Sequence, residues 1–271
     1  MIGSESKYAL ITGATNGIGY ELARLFAKDG KNLVILARNK GNLESVKMEI
    51  ENEFKTTVWS LSKDLSDPNT PQEIYSELEN KSIDIDVLVN NAGFGVIGKF
   101  QETDFVKHLA MIQVFTSSLT HLTKLFLQKM LKDKFGIIVN ISSGLAHIPI
   151  PRFSTYSACE AYVLHFSEAL NYELRGTGVR VTCICPSPTR SAFWERANVG
   201  KTKLANLPQL DPALVARIGY HAIKRGKATV TIGFMNKSLI LMNRIMPRSL
   251  AVRVMGSMME WGSHEAPRKN S

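Results

Sequence analysis

A glycine-rich turn constrains the fold of this chain more than any other segment. Residues 12–19 read Thr-Gly-Ala-Thr-Asn-Gly-Ile-Gly and follow a short apolar run at 8–12. Apolar residues then recur at helical spacing from Ile18, and a second apolar run follows at 33–37. A strand, a glycine turn, a helix and a second strand within about 30 residues predict a βαβ unit.

The alternation of apolar runs and helical patterns continues to residue 185. Continuous apolar strands separated by helices are typical of a parallel sheet covered on both faces, so we expect a doubly wound α/β fold. At 271 residues and 44% hydrophobic content, one substantial core is expected, which favours a single domain over residues 1–271. The further predicted strands are 57–61, 87–90, 137–141 and 179–185, and the further predicted helices are 42–54, 71–79, 105–131 and 154–175.

Composition and cysteine spacing exclude several classes of protein. Cys159, Cys183 and Cys185 form no disulfide framework, which favours a reducing compartment, and no Cys/His cluster has zinc spacing. The first residues lack the apolar stretch of a signal peptide, and no apolar run reaches the ~20 residues of a membrane span. We therefore expect a cytoplasmic protein without a metal centre.

The glycine turn and the end of the second apolar run predict a dinucleotide site. Gly13, Gly17 and Gly19 permit close approach of the backbone, and the helix that follows offers N–H groups and a positive dipole end to a pyrophosphate. The second run ends in Ala-Arg-Asn-Lys at 37–40, with no acid to bind a ribose hydroxyl. Arg38 is placed to meet a 2′-phosphate, which favours NADP(H); a solvated basic turn is the alternative.

Several motifs together resemble those of the short-chain dehydrogenase/reductases. They are the turn at 12–19, Asn-Asn-Ala-Gly at 90–93, Ser143, and Tyr156 thirteen residues after that serine. The resemblance covers about residues 7–192. It implies a single Rossmann-like domain with a seven-stranded parallel sheet, assembled as a homodimer or homotetramer.

The same resemblance implies roles for individual residues. Ser143 resembles the serine that holds a substrate carbonyl, and Tyr156 resembles the acid that protonates it. Asp64 and Leu65 resemble the pair at the adenine, and Asn90 the residue beside its ribose. The expected cofactor contacts are Gly13, Thr15, Asn16, Gly17, Ile18, Gly19, Arg38, Asp64, Leu65, Asn90, Ala92, Gly93, Tyr156, Pro186, Thr189 and Ser191. The expected pocket for a small apolar substrate is formed by Ser143, His147 and Phe193. His147 is either an alternative acid or base, or a plain loop histidine.

Two expected catalytic positions depart from the family pattern. The family lysine four residues after the tyrosine is Glu160, and the family asparagine that supports a water chain to that lysine is Phe115. A carboxylate about 5 Å from the Tyr156 hydroxyl would raise the tyrosine pKa by about 2, which leaves a proton donor but a poor base. Glu160 therefore joins Ser143 and Tyr156 as a candidate catalytic residue.

These departures leave two functions open. The first is an NADP(H)-dependent oxidoreductase that acts on an apolar carbonyl or alcohol through a non-standard proton relay. The second is a cofactor-binding protein without turnover that serves as a sensor or a partner subunit.

The C-terminal tail carries nearly all of the net charge. Residues 213–271 contain ten Lys/Arg against two Glu, or +8 of the formal +9 of the chain. Arg-Gly-Lys-Ala at 225–228 and the tail resemble one bacterial branch of the family with poorly defined substrates. We expect 193–271 to be a helical extension of the same domain. Four roles remain open for this extension: a substrate lid, a partner surface, a peripheral membrane contact, or packed helices with solvated charges. Nucleic acid is not expected, because no aromatic interleaving accompanies the charge.

Overall fold

The computed structural model describes residues 7–191, 193, 197 and 208–259. Of the predicted extension at 193–271, residues 194–196, 198–207 and 260–271 therefore lie outside the described residues. The strands are β1 Lys7–Thr12, β2 Asn32–Ala37, β3 Val58–Ser62, β4 Asp84–Asn90, β5 Gly136–Ile141, β6 Val179–Pro186 and β7 Thr229–Ile232. The helices are α1 Gly17–Lys28, α2 Lys40–Phe54, α3 Thr70–Asn80, α4 Phe105–Ile112, α5 Leu119–Lys132, α6 Ser154–Glu173, α7 Pro212–Lys224, α8 Phe234–Ile245 and α9 Arg248–Met258.

All seven strands form one parallel sheet with the order β3-β2-β1-β4-β5-β6-β7. The chain builds outward from β1 in one direction and then from β4 in the other. This reversal leaves a crevice at the carboxyl ends of β1 and β4, where open α/β sheets bind ligands. The predicted Rossmann-like, doubly wound fold is confirmed.

The sheet separates two apolar clusters. On one face, α1, α2 and α7 bury residues that include Leu22, Leu43 and Val215. On the other face, α3 and α5 bury residues that include Ile74 and Leu122. Burial on both faces explains why the strands read as continuous apolar runs in the sequence.

The predicted helix at 105–131 is wrong in one respect. A π-helical segment, Gln113–Ser118, separates α4 from α5. Within it, the hydroxyl of Thr116 donates to the carbonyl of Ile112 at 2.6 Å. The hydroxyl of Ser118 donates to the carbonyl of Leu65 at 2.7 Å, outside the helix. Such single-turn π segments are frequent at functional sites.

The predicted extension at 193–271 contains helices α7, α8 and α9, and it also contributes strand β7 to the sheet. The strand β7 was not predicted from its own sequence, because it has only four residues and pairs only with β6 at the sheet edge.

Within the described residues no helix is long and apolar enough to cross a membrane. The same residues hold no cluster of three or more His, Cys, Asp or Glu suited to a metal ion.

A buried ion pair joins the turn between α1 and β2 to the central strand β4. The Nζ atom of Lys31 lies 2.6 Å from the Asp86 carboxylate, and the two side chains are 4% and 2% exposed. Burial raises the pKa of Asp86, and the hydrogen bond from Lys31 opposes that increase. Removing one member leaves an uncompensated charge in the core.

We predict that Asp86→Asn lowers the free energy of unfolding by about 3–5 kcal/mol, because Lys31 is left buried without its counter-ion. Urea denaturation measures the loss. Glu102→Gln is the control, since it breaks the exposed pair with Lys99, where a loss below about 1 kcal/mol is expected. Equal small losses in both variants would contradict the prediction.

Candidate active site

A cavity of about 360 Å³ opens at the carboxyl ends of the central strands. It occupies the crevice that the strand order creates. The predicted site residues that line it are Gly13, Thr15, Asn16, Gly17, Ile18, Arg38, Asp64, Leu65, Ala92, Gly93, Ser143, Tyr156, Glu160, Pro186, Thr189, Ser191 and Phe193. The fold thus brings most of the predicted site residues to one place.

The glycine turn at the cavity wall has a shape that side chains would destroy. Gly13 and Gly17 have left-handed φ angles of 67° and 60°. Gly19 lies behind the cavity wall, and a side chain there would collide with the Asn91 amide. The absence of a side chain at 19 therefore lets the turn and Asn91 pack closely. Asn16 precedes α1 without a side-chain capping bond, which leaves the first N–H groups of the helix to an anion. The turn fits a pyrophosphate.

A clamp between Thr12 and Asn91 fixes this turn to the end of β4. The Thr12 hydroxyl oxygen accepts from the backbone N–H groups of Asn91 and Ala92, each at 2.9 Å. The Asn91 amide donates to the carbonyls of Thr12 at 2.9 Å and Gly13 at 3.1 Å. This side-chain role of Asn91 was not predicted from the motif at 90–93.

Arg38 lies at the far end of the cavity, with Asp64 and Lys63 beside it in the lining. Arg38 is 63% exposed, and its Nη1 atom is 3.8 Å from the Asp64 carboxylate. An exposed ion pair of that length contributes little to stability, so Arg38 can exchange it for another anion. Lys63 pairs with Glu73 at 2.7 Å. Two cations at this end suit a phosphate monoester.

Asn90 does not line the cavity, which corrects its expected place beside an adenine ribose. The side chain is buried, and its Nδ2 donates to Asn140 Oδ1 at 2.9 Å and to Thr123 Oγ1 at 3.3 Å. These bonds tie β4 to β5 and α5 below the cavity floor. Asn90 supports the site from underneath because a buried amide needs partners, and its neighbours in the sheet supply them.

His147 also lies outside the cavity lining, contrary to its predicted place in the substrate pocket. It ends the short helical turn Gly144–His147, and its imidazole lies beside the thiol of Cys185. Its carbonyl accepts from the amide of Asn243 in α8 at 2.7 Å. Because the His147 side chain lies beside Cys185 and not in the cavity lining, the structure favours the loop-histidine alternative.

Tyr156 occupies the centre of the predicted catalytic group. Its ring stacks on Phe153 at 4.1 Å, and its hydroxyl lies within hydrogen-bonding reach of Ser143 and Glu160. Burial raises the Tyr156 pKa well above its ordinary value of 10, the Glu160 carboxyl raises it further, and the Ser143 hydrogen bond lowers it. Burial therefore contributes more to the raised pKa of Tyr156 than the Glu160 carboxyl does. The phenol stays neutral and can donate a proton.

Glu160 is a buried acid rather than an exposed carboxylate. Its side chain is 3% exposed and contacts Tyr156 and Ser142, whose hydroxyl also donates to the Glu160 carbonyl at 3.0 Å. Within the described residues its Oε2 atom has no hydrogen-bond partner. Burial raises the pKa of Glu160 to about 8. The carboxyl therefore holds a proton at neutral pH.

Phe115 fills the space between the cavity wall and the tyrosine. Its ring meets the Tyr156 ring edge-on, at 5.7 Å and 88°. A Cβ atom on Gly93 would lie 2.5 Å from the Phe115 ring, so the absence of a side chain at 93 makes room for it. An apolar ring cannot hydrogen-bond to water, so Phe115 offers no polar partner beside Tyr156.

Asn236 is a cavity residue that sequence reasoning missed. It belongs to α8, is 3% exposed, and its amide occupies the space that a side chain on Gly144 would fill. The methionines and cations of the tail dominate its sequence pattern, and no local signal marks this one polar position. The tail thus contributes directly to the cavity, next to Ser143.

Ser187 lines the cavity directly after β6, and a glycine in the neighbouring segment makes room for its side chain. A side chain on Gly233, whose φ is 99°, would collide with the Ser187 hydroxyl. Strand β7 brings the two residues together, since Pro186 pairs with Ile232.

Comparison with known proteins establishes the family. The family model described as short chain dehydrogenase matches residues 7–201. The very-long-chain 3-oxoacyl-CoA reductase of Mus musculus is 31% identical over 262 residues, which cover 92% of this chain and 78% of that protein. The chain belongs to the short-chain dehydrogenase family of oxidoreductases, as its motifs predicted.

Two further relatives show how members with related sequences differ. A short-chain dehydrogenase from Sphingobium yanoikuyae, solved in complex with NADPH, is 30% identical with a TM-score of 0.78, over 83% of this chain and 87% of that chain. The inactive hydroxysteroid dehydrogenase-like protein 1 of Pongo abelii is 32% identical over 190 residues, which are 69% of this chain and 57% of that protein. Relatives at similar identity thus include proteins named as reductases and one named as inactive.

We predict that Glu160 makes stability fall as the pH rises from 4.5 to about 8. Its pKa is raised from 4.5 to about 8 in the folded protein, so over this interval the folded state binds the proton that the unfolded state has lost. Relative to Glu160→Gln, the free energy of unfolding should decrease by up to about 1.4 kcal/mol per pH unit. Urea denaturation of both proteins across this pH range measures the difference.

The matched control is Glu168→Gln, an exposed carboxyl on the same helix. Its difference from wild type measures the effect of replacing a carboxyl on this helix outside the cavity. If the Glu160→Gln difference varies with pH no more than the Glu168→Gln difference does, the prediction for Glu160 is wrong.

Proposed function

We propose that this protein is an NADP(H)-dependent oxidoreductase that reduces an apolar carbonyl compound with a proton relay built on Glu160. The observation that carries the proposal is the Tyr156 hydroxyl, held in the cavity between Ser143 and the buried carboxyl of Glu160, whose pKa burial raises to about 8. A neutral phenol beside a neutral acid suits proton donation and is a poor base for the reverse reaction.

The cofactor would lie along the cavity from the glycine turn to Ser143. The N-terminus of α1 would hold the pyrophosphate, and Arg38 with Lys63 would meet a 2′-phosphate. A bound nicotinamide would supply a hydride to the carbonyl carbon. The relative from Sphingobium yanoikuyae, solved in complex with NADPH, supports this choice of cofactor.

The part of the cavity around Tyr156 favours an apolar substrate. Its lining includes Phe94, Phe115, Leu145, Phe153 and Phe193. Aromatic and aliphatic side chains bury apolar surface without offering partners to substrate hydroxyl groups. Among the polar groups at this end, Ser143 and Tyr156 would hold a carbonyl oxygen.

In the proposed relay each proton has a defined source. Tyr156 donates its proton to the carbonyl oxygen of the substrate as the hydride arrives at carbon. The pKa of Tyr156 is higher than the pKa of Glu160. The Glu160 acid therefore transfers its proton to the phenolate that remains. Solvent in the cavity would then reprotonate Glu160, which is one of its lining residues. The relay replaces the lysine and water chain that Glu160 and Phe115 have displaced.

We predict that NADPH binds tighter than NADH by about ten-fold or more, since a charge-assisted contact from Arg38 contributes about 1.5–3 kcal/mol. Arg38→Ala should remove most of this preference. Titration of each cofactor, followed by the fluorescence of the three tryptophans, measures it.

Lys40→Ala is the matched control, because Lys40 is an exposed neighbouring cation that does not line the cavity. It should leave the preference unchanged. Equal affinities for the two cofactors in the wild type would disprove the role of Arg38.

We predict that Glu160→Gln lowers kcat for ketone reduction by about 10² or more, because an amide keeps the hydrogen bonds but has no acidic proton to transfer. In the wild type, kcat should fall as the pH rises through about 8, where Glu160 loses its proton. The variant should lack this fall. Steady-state rates over a panel of apolar ketones test both statements.

Glu168→Gln should match the wild type in rate and pH profile.

Glu160→Lys combined with Phe115→Asn restores the family pair. The double variant should gain more activity than the two single changes predict together, because the water chain needs both residues. A wild type that is active and indifferent to every change at 160 would contradict the relay.

The second candidate function is cofactor binding without turnover, as a sensor or partner subunit. Phe115 closes the usual water path, and the relative from Pongo abelii is named as inactive. Tight NADPH binding with no reduction of any ketone in the panel would favour this function over the first.

A further inference from the structure

The inner faces of the last two helices, α8 and α9, pack against the rest of the protein. Asn236 packs against Gly144, and the amide of Asn243 donates to the His147 carbonyl at 2.7 Å. Met255 of α9 is 3% exposed and belongs to the apolar cluster that contains Tyr156. These contacts determine which face of each helix remains outside.

The outward faces of α8 and α9 are unusually apolar. Their large exposed hydrophobic side chains are Phe234, Leu241, Ile245, Leu250 and Val254, at 87%, 61%, 79%, 46% and 36% exposure. On α8 the spacing of seven and four residues places the first three on one stripe of the helix. We call these five residues, with the exposed cations Lys237, Arg248 and Arg253, the outer tail face.

The charged side chains of these two helices have one sign. No aspartate or glutamate occurs between Asp211 and Glu260. The three exposed cations therefore alternate with the apolar side chains, and neither α8 nor α9 carries an acid that could neutralise them. An apolar stripe flanked by lysine and arginine is the pattern of helices that lie in the plane of an anionic membrane surface.

A second copy of the chain fits this surface poorly. A two-fold contact places the same patch against itself, so the cations of both copies would face one another. The helices have 12 and 11 residues, too short to span a bilayer and long enough to lie on one. An anionic lipid surface satisfies both the charge and the apolar area.

From these observations we propose that the outer tail face docks the protein onto anionic lipid, with its apolar side chains inserted at the headgroup boundary. The α8 helix then has lipid on one side and, through Asn236, the cavity on the other. If the proposed reductase function holds, an apolar substrate would reach the cavity from the bilayer. Docking itself does not depend on that function.

Co-sedimentation with lipid vesicles tests the proposal on the full chain. The protein should bind vesicles that contain phosphatidylglycerol and not vesicles of phosphatidylcholine alone, and added salt should weaken binding. Phe234→Ser with Ile245→Ser should lower the partition coefficient at least ~10-fold, because two large apolar side chains leave the interface. Arg248→Glu with Arg253→Glu should lower it at least ~10-fold as well.

Two control variants separate the docking surface from general effects. Lys124→Glu with Lys132→Glu changes the net charge equally on α5, and Tyr172→Ser removes an exposed aromatic ring from α6; both should bind vesicles as the wild type does. NADPH affinity and circular dichroism verify that each tail variant is folded. Binding to neither vesicle, or equal loss in the control variants, would overturn the proposal. So would a change of oligomeric mass in the tail variants without vesicle binding by the wild type, which would identify an interface between copies.

Discussion

The hydroxyl of Thr12 makes the contacts on which the cavity depends. It accepts from two backbone N–H groups at the end of β4 and donates to the carbonyl of Val89 at 3.3 Å. This buried oxygen thus joins the adjacent strands β1 and β4. The residues that it connects are at least 77 positions apart in the sequence. Because a buried backbone donor without a partner costs free energy, these bonds fix the distance between the glycine turn and the cavity wall. Every other site residue is placed relative to that pair of strand ends.

The sequence predicted the features that depend on local order. Apolar runs, the glycine turn and the spacing of Ser143 and Tyr156 follow from neighbours along the chain, and the structure has the corresponding strands and lining residues. The features it missed depend on contacts between distant segments. His147 lies beside Cys185 of β6 and its carbonyl accepts from Asn243 of α8, and Asn236 occupies the space left by the missing side chain of Gly144. The π-helical break near Phe115 involves a hydrogen bond from Ser118 to Leu65, which no periodicity reveals.

Glu160 shows how burial changes an argument from charge. From the sequence, a carboxylate beside a tyrosine implies repulsion between two anions. In the structure, the loss of solvent acts on both groups and favours the neutral form of each. The pair then interacts as two neutral hydrogen-bonding groups. Charge reasoning predicted the correct direction for the Tyr156 pKa, but its largest cause is desolvation, which requires knowledge of what surrounds the residue.

The contact between Asn236 and Gly144 connects the cavity to the outer surface of the protein through α8. Gly144 follows Ser143 directly, and the Asn236 amide occupies the space beside it, so the serine turn and α8 pack against each other. A ligand whose binding displaces the turn would also disturb this contact. By thermodynamic reciprocity, anything that holds α8 from outside would then change the affinity of that ligand by the same factor as the ligand changes the attachment of α8. If the outer tail face docks onto lipid as proposed, occupancy of the cavity and attachment to the membrane would be two readouts of a single equilibrium.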